Sequence, residues 1–153
     1  MPDLAISLAT DAERDWSARL MSESEPWLTL GRALEQCHSY LATTSDSELL
    51  IAHDDDAPAG FLLARPRGFA GSPYVAAIAV GPAQRSRGVG SALLRHVEAR
   101  YVPPARHIFL LCSTFNLRAQ RLYARHGYAR VGEIPAYVIA SANELIFHKR
   151  LVR

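Results

Sequence analysis

The sequence predicts an α/β protein in which helices flank a central mixed, mostly antiparallel sheet of seven strands. Strand-like and helix-like hydrophobic patterns follow one another along the chain, an order that favours a sheet with helices on its faces. A turn at residues 54–60 joins two strands as a hairpin. A strand at 74–80, a helix and a strand at 107–113 form a crossover unit, which joins parallel neighbours.

The N-terminal half opens with a strand that leads into Thr10 and Asp11, where a helix N-cap is expected. Pro26 and Gly31 interrupt the helical pattern that follows, so two helices are predicted instead of one. The predicted elements are a strand at 4–9, helices at 11–22 and 31–42, and hairpin strands at 47–53 and 60–65.

The C-terminal half continues the alternation of strands and helices. The apolar run from Tyr74 to Val80 is strand-like, and Leu93, Leu94 and Val97 recur at helical spacing. The predicted elements are a loop at 67–73, strands at 74–80 and 107–113, helices at 88–101 and 116–126, and closing strands at about 128–138 and 143–151.

Length and composition indicate one ordinary globular domain over residues 1–153. The chain has 49% hydrophobic and 21% charged residues, and its apolar runs have the length of strands, so no membrane span is expected. Its net charge of +2 comes from scattered basic residues, which argues against a nucleic-acid binder. Cys37 and Cys112 make no disulfide framework, and no secretory signal precedes the first strand, so a cytoplasmic location is predicted.

The segment 80–91 predicts a loop that binds a pyrophosphate. Gly88 and Gly90 allow the backbone to approach a ligand, and the helix that follows presents unpaired N–H groups to an anion. Arg85 and Arg87 add positive charge at the same place. The loop is not a P-loop, because no Lys follows the glycines, and it is not a dinucleotide fingerprint, because Leu93 replaces the third glycine.

A second motif follows the crossover strand, at Asn116-Leu117-Arg118-Ala119-Gln120-Arg121-Leu122-Tyr123-Ala124-Arg125-His126-Gly127-Tyr128. Asn116 stands at the start of the predicted helix, where it can cap the helix or bond to the amide of a ligand. Tyr123 shares one helical face with Ala119 and Leu122, and Gly127 is a natural helix stop. From the residues alone, Tyr123 is either a core aromatic or a functional group.

Both segments match motifs of one family. Arg85-Ser86-Arg87-Gly88-Val89-Gly90 fits the pattern Arg/Gln-x-x-Gly-x-Gly/Ala. Residues 116–128 fit Asn-x-x-Ala-x-x-Leu-Tyr-x-x-x-Gly-Phe/Tyr at every fixed position. The chain therefore resembles the GNAT superfamily of acyl-CoA-dependent N-acetyltransferases, of the small single-domain bacterial type. The order of the predicted elements is also that of the GNAT fold, so the resemblance extends over essentially the whole chain.

The resemblance implies a mechanism with acetyl-CoA as the acyl donor. The strands at 74–80 and 107–113 are then expected to splay apart, and the backbone groups of Ile78 and Val80 to pair with the pantetheine arm. A backbone N–H near Ala79 would polarise the thioester carbonyl, and Tyr123 would protonate the departing thiolate. The implied cofactor-binding set is Ile78, Ala79, Val80, Arg85, Ser86, Arg87, Gly88, Val89, Gly90, Ser91, Asn116 and Tyr123.

The proton acceptor departs from the family pattern, because the strand at 74–80 carries no acidic residue. Glu133 on the next-to-last strand is the candidate base, either directly or through a water, although an exposed structural carboxylate and a reaction that needs no base both stay open. The histidines and cysteines lack the spacing of a zinc site, so no metal is expected.

The acceptor is expected to be a small amine or a peptide N-terminus. In this fold, the break between the first two helices overhangs the acceptor, and Ser24-Glu25-Pro26-Trp27-Leu28-Thr29-Leu30-Gly31-Arg32 is similar to a loop of small bacterial enzymes likened to ribosomal-protein N-terminal acetyltransferases. Trp27 lines a pocket or packs on the core, Arg32 holds a carboxylate or pairs with Glu35, and Tyr137 belongs to the opposite wall. A non-catalytic acyl-CoA-binding module is the alternative, and a homodimer is left open.

Overall fold

The computed structural model describes residues 4–152, and these contain the elements in the predicted order. The strands are β1 (Leu4–Leu8), β2 (Glu48–Asp54), β3 (Ala57–Phe69), β4 (Ser72–Val80), β5 (His107–Ser113), β6 (Ala129–Ile134) and β7 (Glu144–Arg150). The helices are α1 (Asp11–Ser22), α2 (Leu34–Leu41), α3 (Val89–Tyr101) and α4 (Leu117–Arg125), and a short 3₁₀ turn spans Pro82–Gln84.

The seven strands form one mixed sheet in the order β1-β2-β3-β4-β5-β7-β6. Every neighbouring pair is antiparallel except β4 and β5, which are parallel and connected through α3. This connection is the predicted crossover. The predicted fold class, a mostly antiparallel mixed sheet flanked by helices, is therefore confirmed.

Several predicted boundaries are wrong by a few residues, and one predicted loop is absent. Residues 67–73 do not form a loop, because β3 extends to Phe69 and turns directly into β4 through Ala70 and Gly71, both in the left-handed region. The strand predicted at 128–138 ends at Ile134, so Tyr137 lies in the connection to β7. The second helix begins at Leu34, after residues 23–33 have formed a series of turns.

Helix α1 begins where the sequence predicted it. The Thr10 hydroxyl accepts the Glu13 N–H (3.2 Å), and the Glu13 carboxylate accepts the Thr10 N–H (2.9 Å), which completes a capping box. No helix among residues 4–152 is long and apolar enough to cross a membrane. The helices pack their apolar sides against the sheet.

The sheet separates two hydrophobic cores. Helices α3 and α4 cover one face, where Leu93, Leu94 and Val97 pack against Ile108 and other strand residues. Helices α1 and α2 cover the other face over β2, β3 and β4, with Phe61 among the fully buried residues. The two faces therefore differ in the helices and the strand residues that fill them.

A polar clamp fixes the end of α3 to the start of β2. The Glu48 carboxylate accepts hydrogen bonds from the Arg100 guanidinium (2.6 and 3.1 Å) and from the Tyr101 hydroxyl (2.6 Å). The hydrogen bonds from Arg100 are the main reason that the pKa of Glu48 is lowered. This clamp holds the C-terminal end of the helix whose N-terminus faces the cleft described below.

We predict that Glu48→Gln reduces the dependence of stability on pH. A carboxyl group whose pKa is lowered in the folded state stabilises it above the unfolded pKa of about 4.3, and that stabilisation is lost as the pH falls through the folded pKa. The free energy of unfolding, measured by urea titration between about pH 3 and pH 7, should fall less steeply for Glu48→Gln than for the wild type. Glu35→Gln, at a carboxylate that makes no ion pair within residues 4–152, is the control. Equal slopes for Glu48→Gln and the wild type would contradict the role of the clamp.

Candidate active site

A cleft of ≈ 2480 Å³ lies where β4 and β5 separate. The two strands pair at only two positions, Tyr74 with Phe109 and Val75 with Leu110. Beyond these pairs, residues 76–80 of β4 have no strand on the β5 side. The cleft continues from the start of α3 at one end to residues 23–32 at the other, so one groove connects the predicted cofactor and acceptor regions.

A β-bulge at Ala76 accompanies the separation. Leu63 lies opposite Ala77 and Ala64 lies opposite Val75, so Ala76 is the extra residue of β4. The bulge switches the faces of the strand: Val75 belongs to the core under α3 and α4, whereas Ala77 belongs to the core under α1 and α2. The side chains on either side of the bulge therefore point to opposite faces of the sheet.

The backbone of β4 offers free hydrogen-bonding groups to the cleft. The Gly81 N–H donates to the Ala59 carbonyl of β3 (2.8 Å), and alternation along an antiparallel pair then directs the N–H and C=O of Val80 and Ile78 away from β3. These two residues are the ones predicted to pair with an extended ligand. Ala79 differs from the prediction, because the same alternation directs its backbone towards Phe61 of β3. The Ile78 N–H is the donor available next to it.

The start of α3 presents an uncapped set of amides. Gly88 is the N-cap residue with φ of 85°, a conformation that suits glycine, and it has no side chain to cap the helix. The first helical hydrogen bond runs from the Ala92 N–H to the Gly88 carbonyl (2.9 Å), so the N–H groups of Val89, Gly90 and Ser91 have no helical acceptor. These amides line the cleft together with Arg85 and Ser86.

The loop that precedes α3 has positive charge and closely packed neighbours. Arg85, Arg118 and Arg125 line the cleft near the start of α3, while Arg87 pairs with Asp54 at 3.8 Å. A Cβ on Gly90 would lie 3.2 Å from Leu122 Cδ2 of α4 and 3.7 Å from Val80, so glycine lets α3 approach both neighbours. Within the part of the chain that the structure describes, Arg85 forms no ion pair, so the loop combines free amides with an unpaired guanidinium group, an arrangement that binds anions.

Tyr123 lies on α4 between the core and the cleft. Its side chain is 5% exposed, and its ring packs near those of Tyr128 and Phe147. The hydroxyl has no hydrogen-bond partner within residues 4–152, and burial raises its pKa. Tyr123 also lines the cleft. Its side chain therefore brings a protonated hydroxyl without a hydrogen-bond partner to the free edge of β4.

Asn116 caps α4, which is one of its two predicted roles. Its side-chain oxygen accepts the Ala119 N–H (3.3 Å), and the residue also lines the cleft. Cys112 lies four residues earlier, on β5, and burial raises the pKa of the Cys112 thiol to about 12. A thiol with that pKa stays protonated and is a poor nucleophile.

The structure places Glu133 away from the cleft lining. Its carboxylate pairs with Arg130 and accepts a hydrogen bond from the side-chain amide of Asn143 (2.5 Å), which fits the structural alternative. Glu144, at the start of β7, lines the cleft instead and is 7% exposed. It accepts a hydrogen bond from the Ser113 hydroxyl (2.7 Å), and burial raises its pKa. The sequence signal that was missed is an acid directly before the apolar run of residues 145–147.

The opposite end of the cleft contains a cluster of tyrosines and arginines that we call the acceptor end: Tyr40, Arg32, Arg65, Tyr74 and Tyr137. The Tyr40 hydroxyl donates to the carbonyl of the bulge residue Ala76 (3.1 Å), and the Arg65 guanidinium lies 5.2 Å from the Tyr40 ring centre. Burial is the main reason that the pKa values of Tyr40 and Tyr74 are raised, and Tyr137, which also lines the cleft, contributes to both shifts. The sequence predicted Arg32 and Tyr137 here but missed the other three.

Two predictions about this end had alternatives that the structure decides. Trp27 is 8% exposed, and its ring lies 6.4 Å from Phe61, so it packs on the core and contributes to the cleft lining only in part. Arg32 is exposed and forms no ion pair with Glu35. Within residues 4–152, no group of three or more His, Cys, Asp or Glu residues is arranged to hold a metal ion.

Solved structures with the same architecture are acetyltransferases. A GNAT-family acetyltransferase from Bacillus cereus shares 20% identity, with a TM-score of 0.80 and 99% of each chain covered. The ribosomal-protein-S18-alanine N-acetyltransferase from Escherichia coli shares 14%, with a TM-score of 0.79, over 99% of this chain and 96% of that one. An aminoglycoside 6'-N-acetyltransferase complexed with coenzyme A shares 15%, with a TM-score of 0.77, over 97% of this chain and 98% of that one.

At these identities the structural likeness establishes the fold alone. No curated protein matches the chain by sequence. The model of the acetyltransferase (GNAT) family, however, matches residues 7–128, a span that includes the uncapped start of α3, the free edge of β4 and the whole of α4. The chain therefore belongs to the GNAT family, and it is an acetyltransferase.

Proposed function

We propose that the enzyme transfers the acetyl group of acetyl-CoA to a primary amine of a small molecule or a peptide N-terminus by direct attack. The observation that carries the proposal is the convergence of three features in one cleft: the uncapped amides of α3, the free edge of β4 and the unpartnered hydroxyl of Tyr123. Similar structures include one complexed with coenzyme A and one named for a ribosomal-protein alanine, which supports both the donor and the acceptor class.

The residues of the α3 loop hold the pyrophosphate in this proposal. The N–H groups of Val89, Gly90 and Ser91 bind its oxygens, and Arg85 and Arg118 add charge at the same end of the cleft. Val80 and Ile78 pair with the pantetheine arm as a neighbouring strand would. Together these contacts bring the thioester to the bulge at Ala76, where the acceptor end begins.

The reacting groups lie on either side of the bulge. The Ile78 N–H stabilises the developing oxyanion, a contribution of about 3 kcal/mol for one donor in comparable sites. As the C–N bond forms and the C–S bond breaks, Tyr123 donates its proton to the departing sulfur. Its raised pKa keeps this proton in place throughout the neutral range.

Glu144 accepts the proton of the attacking amine in this proposal, directly or through a water, in place of Glu133. Its carboxylate lies in the cleft, and the Ser113 hydroxyl orients it. Burial raises its pKa towards the range in which a carboxylate is a useful base near neutral pH.

Tyr123→Phe should lower kcat by roughly 100-fold or more, because the leaving sulfur loses its proton donor. The dissociation constant of acetyl-CoA, measured by calorimetry, should stay within about threefold, because a hydroxyl that makes no ground-state contact contributes little to binding. Tyr128→Phe is the matched control: its buried hydroxyl donates to Glu98 (2.9 Å) on the other side of the helix layer, so kcat should be retained. Wild-type turnover in Tyr123→Phe would remove this residue from the mechanism.

Gly88→Val should weaken acetyl-CoA binding by at least about tenfold, because a β-branched residue at a φ of 85° costs on the order of 1–3 kcal/mol and distorts the amides of α3. Gly71→Val is the matched control, since Gly71 has a φ of 83° in the β3–β4 turn and an added Cβ there meets no atom within 4 Å. Both variants carry similar backbone strain, but only Gly88→Val should alter affinity in calorimetric titration. Equal affinities would contradict the assignment of the phosphate loop.

Glu144→Gln should remove the decrease of kcat/KM that we expect of the wild type at acid pH. A base must be ionised, so its activity is lost as the pH falls through its pKa, and a raised pKa places this loss above that of an ordinary glutamate near 4.3. The pH–rate profile of Glu144→Gln should therefore be lower and flatter than that of the wild type. Glu133→Gln, measured in parallel, discriminates between the two carboxylates: a flattened profile in that variant alone would restore Glu133 as the base.

A further inference from the structure

Two arginines at the acceptor end, Arg32 and Arg65, form no ion pair with any residue that the structure describes. The arginines that form ion pairs within residues 4–152 are Arg14, Arg19, Arg87, Arg100 and Arg130. Glu25, on the same loop as Arg32, is engaged locally by the N–H of Thr29 (2.9 Å) and its hydroxyl (2.6 Å). Both arginines therefore line the cleft with no carboxylate of residues 4–152 paired to them.

Arg65 is positioned beside the point where the cleft opens. It lies directly opposite Tyr74 in the β3–β4 ladder, and Tyr74 is one of the last two residues that pair with β5 before the cleft opens. Its guanidinium rests over the Tyr40 ring at 5.2 Å, and the Tyr40 hydroxyl is in turn bonded to the bulge carbonyl of Ala76. The charge is half-buried and held in place, unlike that of a free surface arginine.

Arg65 and the candidate base both line the cleft. Arg65 lies on β3 opposite Tyr74, and Glu144 lies on β7 opposite Ser113. The wall of the cleft therefore carries a guanidinium and a carboxylate at separate positions. Such an arrangement fits a ligand whose own charges are reversed, with a cationic or neutral amine near Glu144 and an anion near Arg65.

We propose that the acceptor is an amine that also carries a carboxylate, which Arg65 binds and Arg32 assists at the mouth of the cleft. This inference rests on the proposed function and specifies its acceptor. A planar guanidinium matches the two oxygens of a carboxylate, and the amine is then directed towards Glu144. A polycationic amine would instead meet two unpaired positive charges. The carboxylate belongs either to a free amino acid or to an acidic side chain beside a peptide N-terminus.

The test compares acceptors that differ only in charge. A panel of free L-amino acids is assayed beside their primary amides, and the dipeptide amide Ala-Asp beside Ala-Asn, with thiol release as the readout. The wild type should prefer the carboxylate member of at least one pair by roughly 10- to 100-fold in kcat/KM. The pair that shows the preference identifies the source of the carboxylate.

Arg65→Gln should reduce that preference to near unity while turnover of the amide member changes little, and Arg65→Lys should restore part of it. A merely structural role for Arg65 would lower the rates of both members equally. Arg121→Gln removes one exposed charge that does not line the cleft, and it should retain the full preference. Arg32→Gln should reduce the preference less than Arg65→Gln, because Arg32 is the more exposed of the two.

Binding separates this inference from the proposed function. N-acetyl-L-amino acids and their amides are titrated into the enzyme with coenzyme A, and the carboxylate should bind the more tightly in an Arg65-dependent manner. Equal kcat/KM for acids and amides in the wild type, with acetyl transfer to both, overturns the carboxylate site and leaves the proposed function standing. Acetyl-CoA binding without transfer to any amine of the panel overturns the proposed function and the acceptor assignment with it.

Discussion

The structure depends on the short contact between β4 and β5, which lasts for two residue pairs and then ends. A parallel pair of neighbouring strands would ordinarily continue its ladder, and each lost pair leaves backbone groups without partners. Here the bulge at Ala76 re-aims β4 at that point, so the N–H and C=O groups of Ile78 and Val80 face a cleft instead of a strand. The free edge of β4 therefore lies inside the sheet, where the surrounding strands and helices hold it in place.

The two sides of that edge have different chemistry because different elements cover them. On one side, α3 begins with three unsatisfied amides, and its far end is fixed to β2 by the clamp of Glu48, Arg100 and Tyr101. On the other side, α2 supplies Tyr40, and β3 supplies Arg65, which lies opposite Tyr74. In the proposed function, donor and acceptor are therefore recognised by separate sets of residues that meet at the bulge.

The fold could be predicted from the sequence, and the donor half of the site could be proposed from it, because their signals are local. Glycine spacing, a cluster of arginines and helix periodicity are all readable within a dozen residues, and the crossover follows from the order of elements. Glu144 and Arg65 were missed because their importance comes from long-range pairing: Glu144 lies opposite Ser113 and Arg65 opposite Tyr74. Glu133 was the candidate base predicted from the sequence, and only the strand register and the cleft lining point to Glu144 as a second candidate. The bulge at Ala76 could not be predicted either, because no glycine or proline in the sequence indicates it.

The exchange of faces at Ala76 also has an evolutionary consequence. Because β4 contributes Val75 to one core and Ala77 and Ala79 to the other, the sheet insulates the packing beneath α1 and α2 from the packing beneath α3 and α4. Substitutions in the first of these cores, or in the turns of residues 23–33 beside it, change packing on the face of the sheet opposite α3. We therefore expect new acceptor specificities to evolve in that half of the molecule without repacking of the α3 loop in the other.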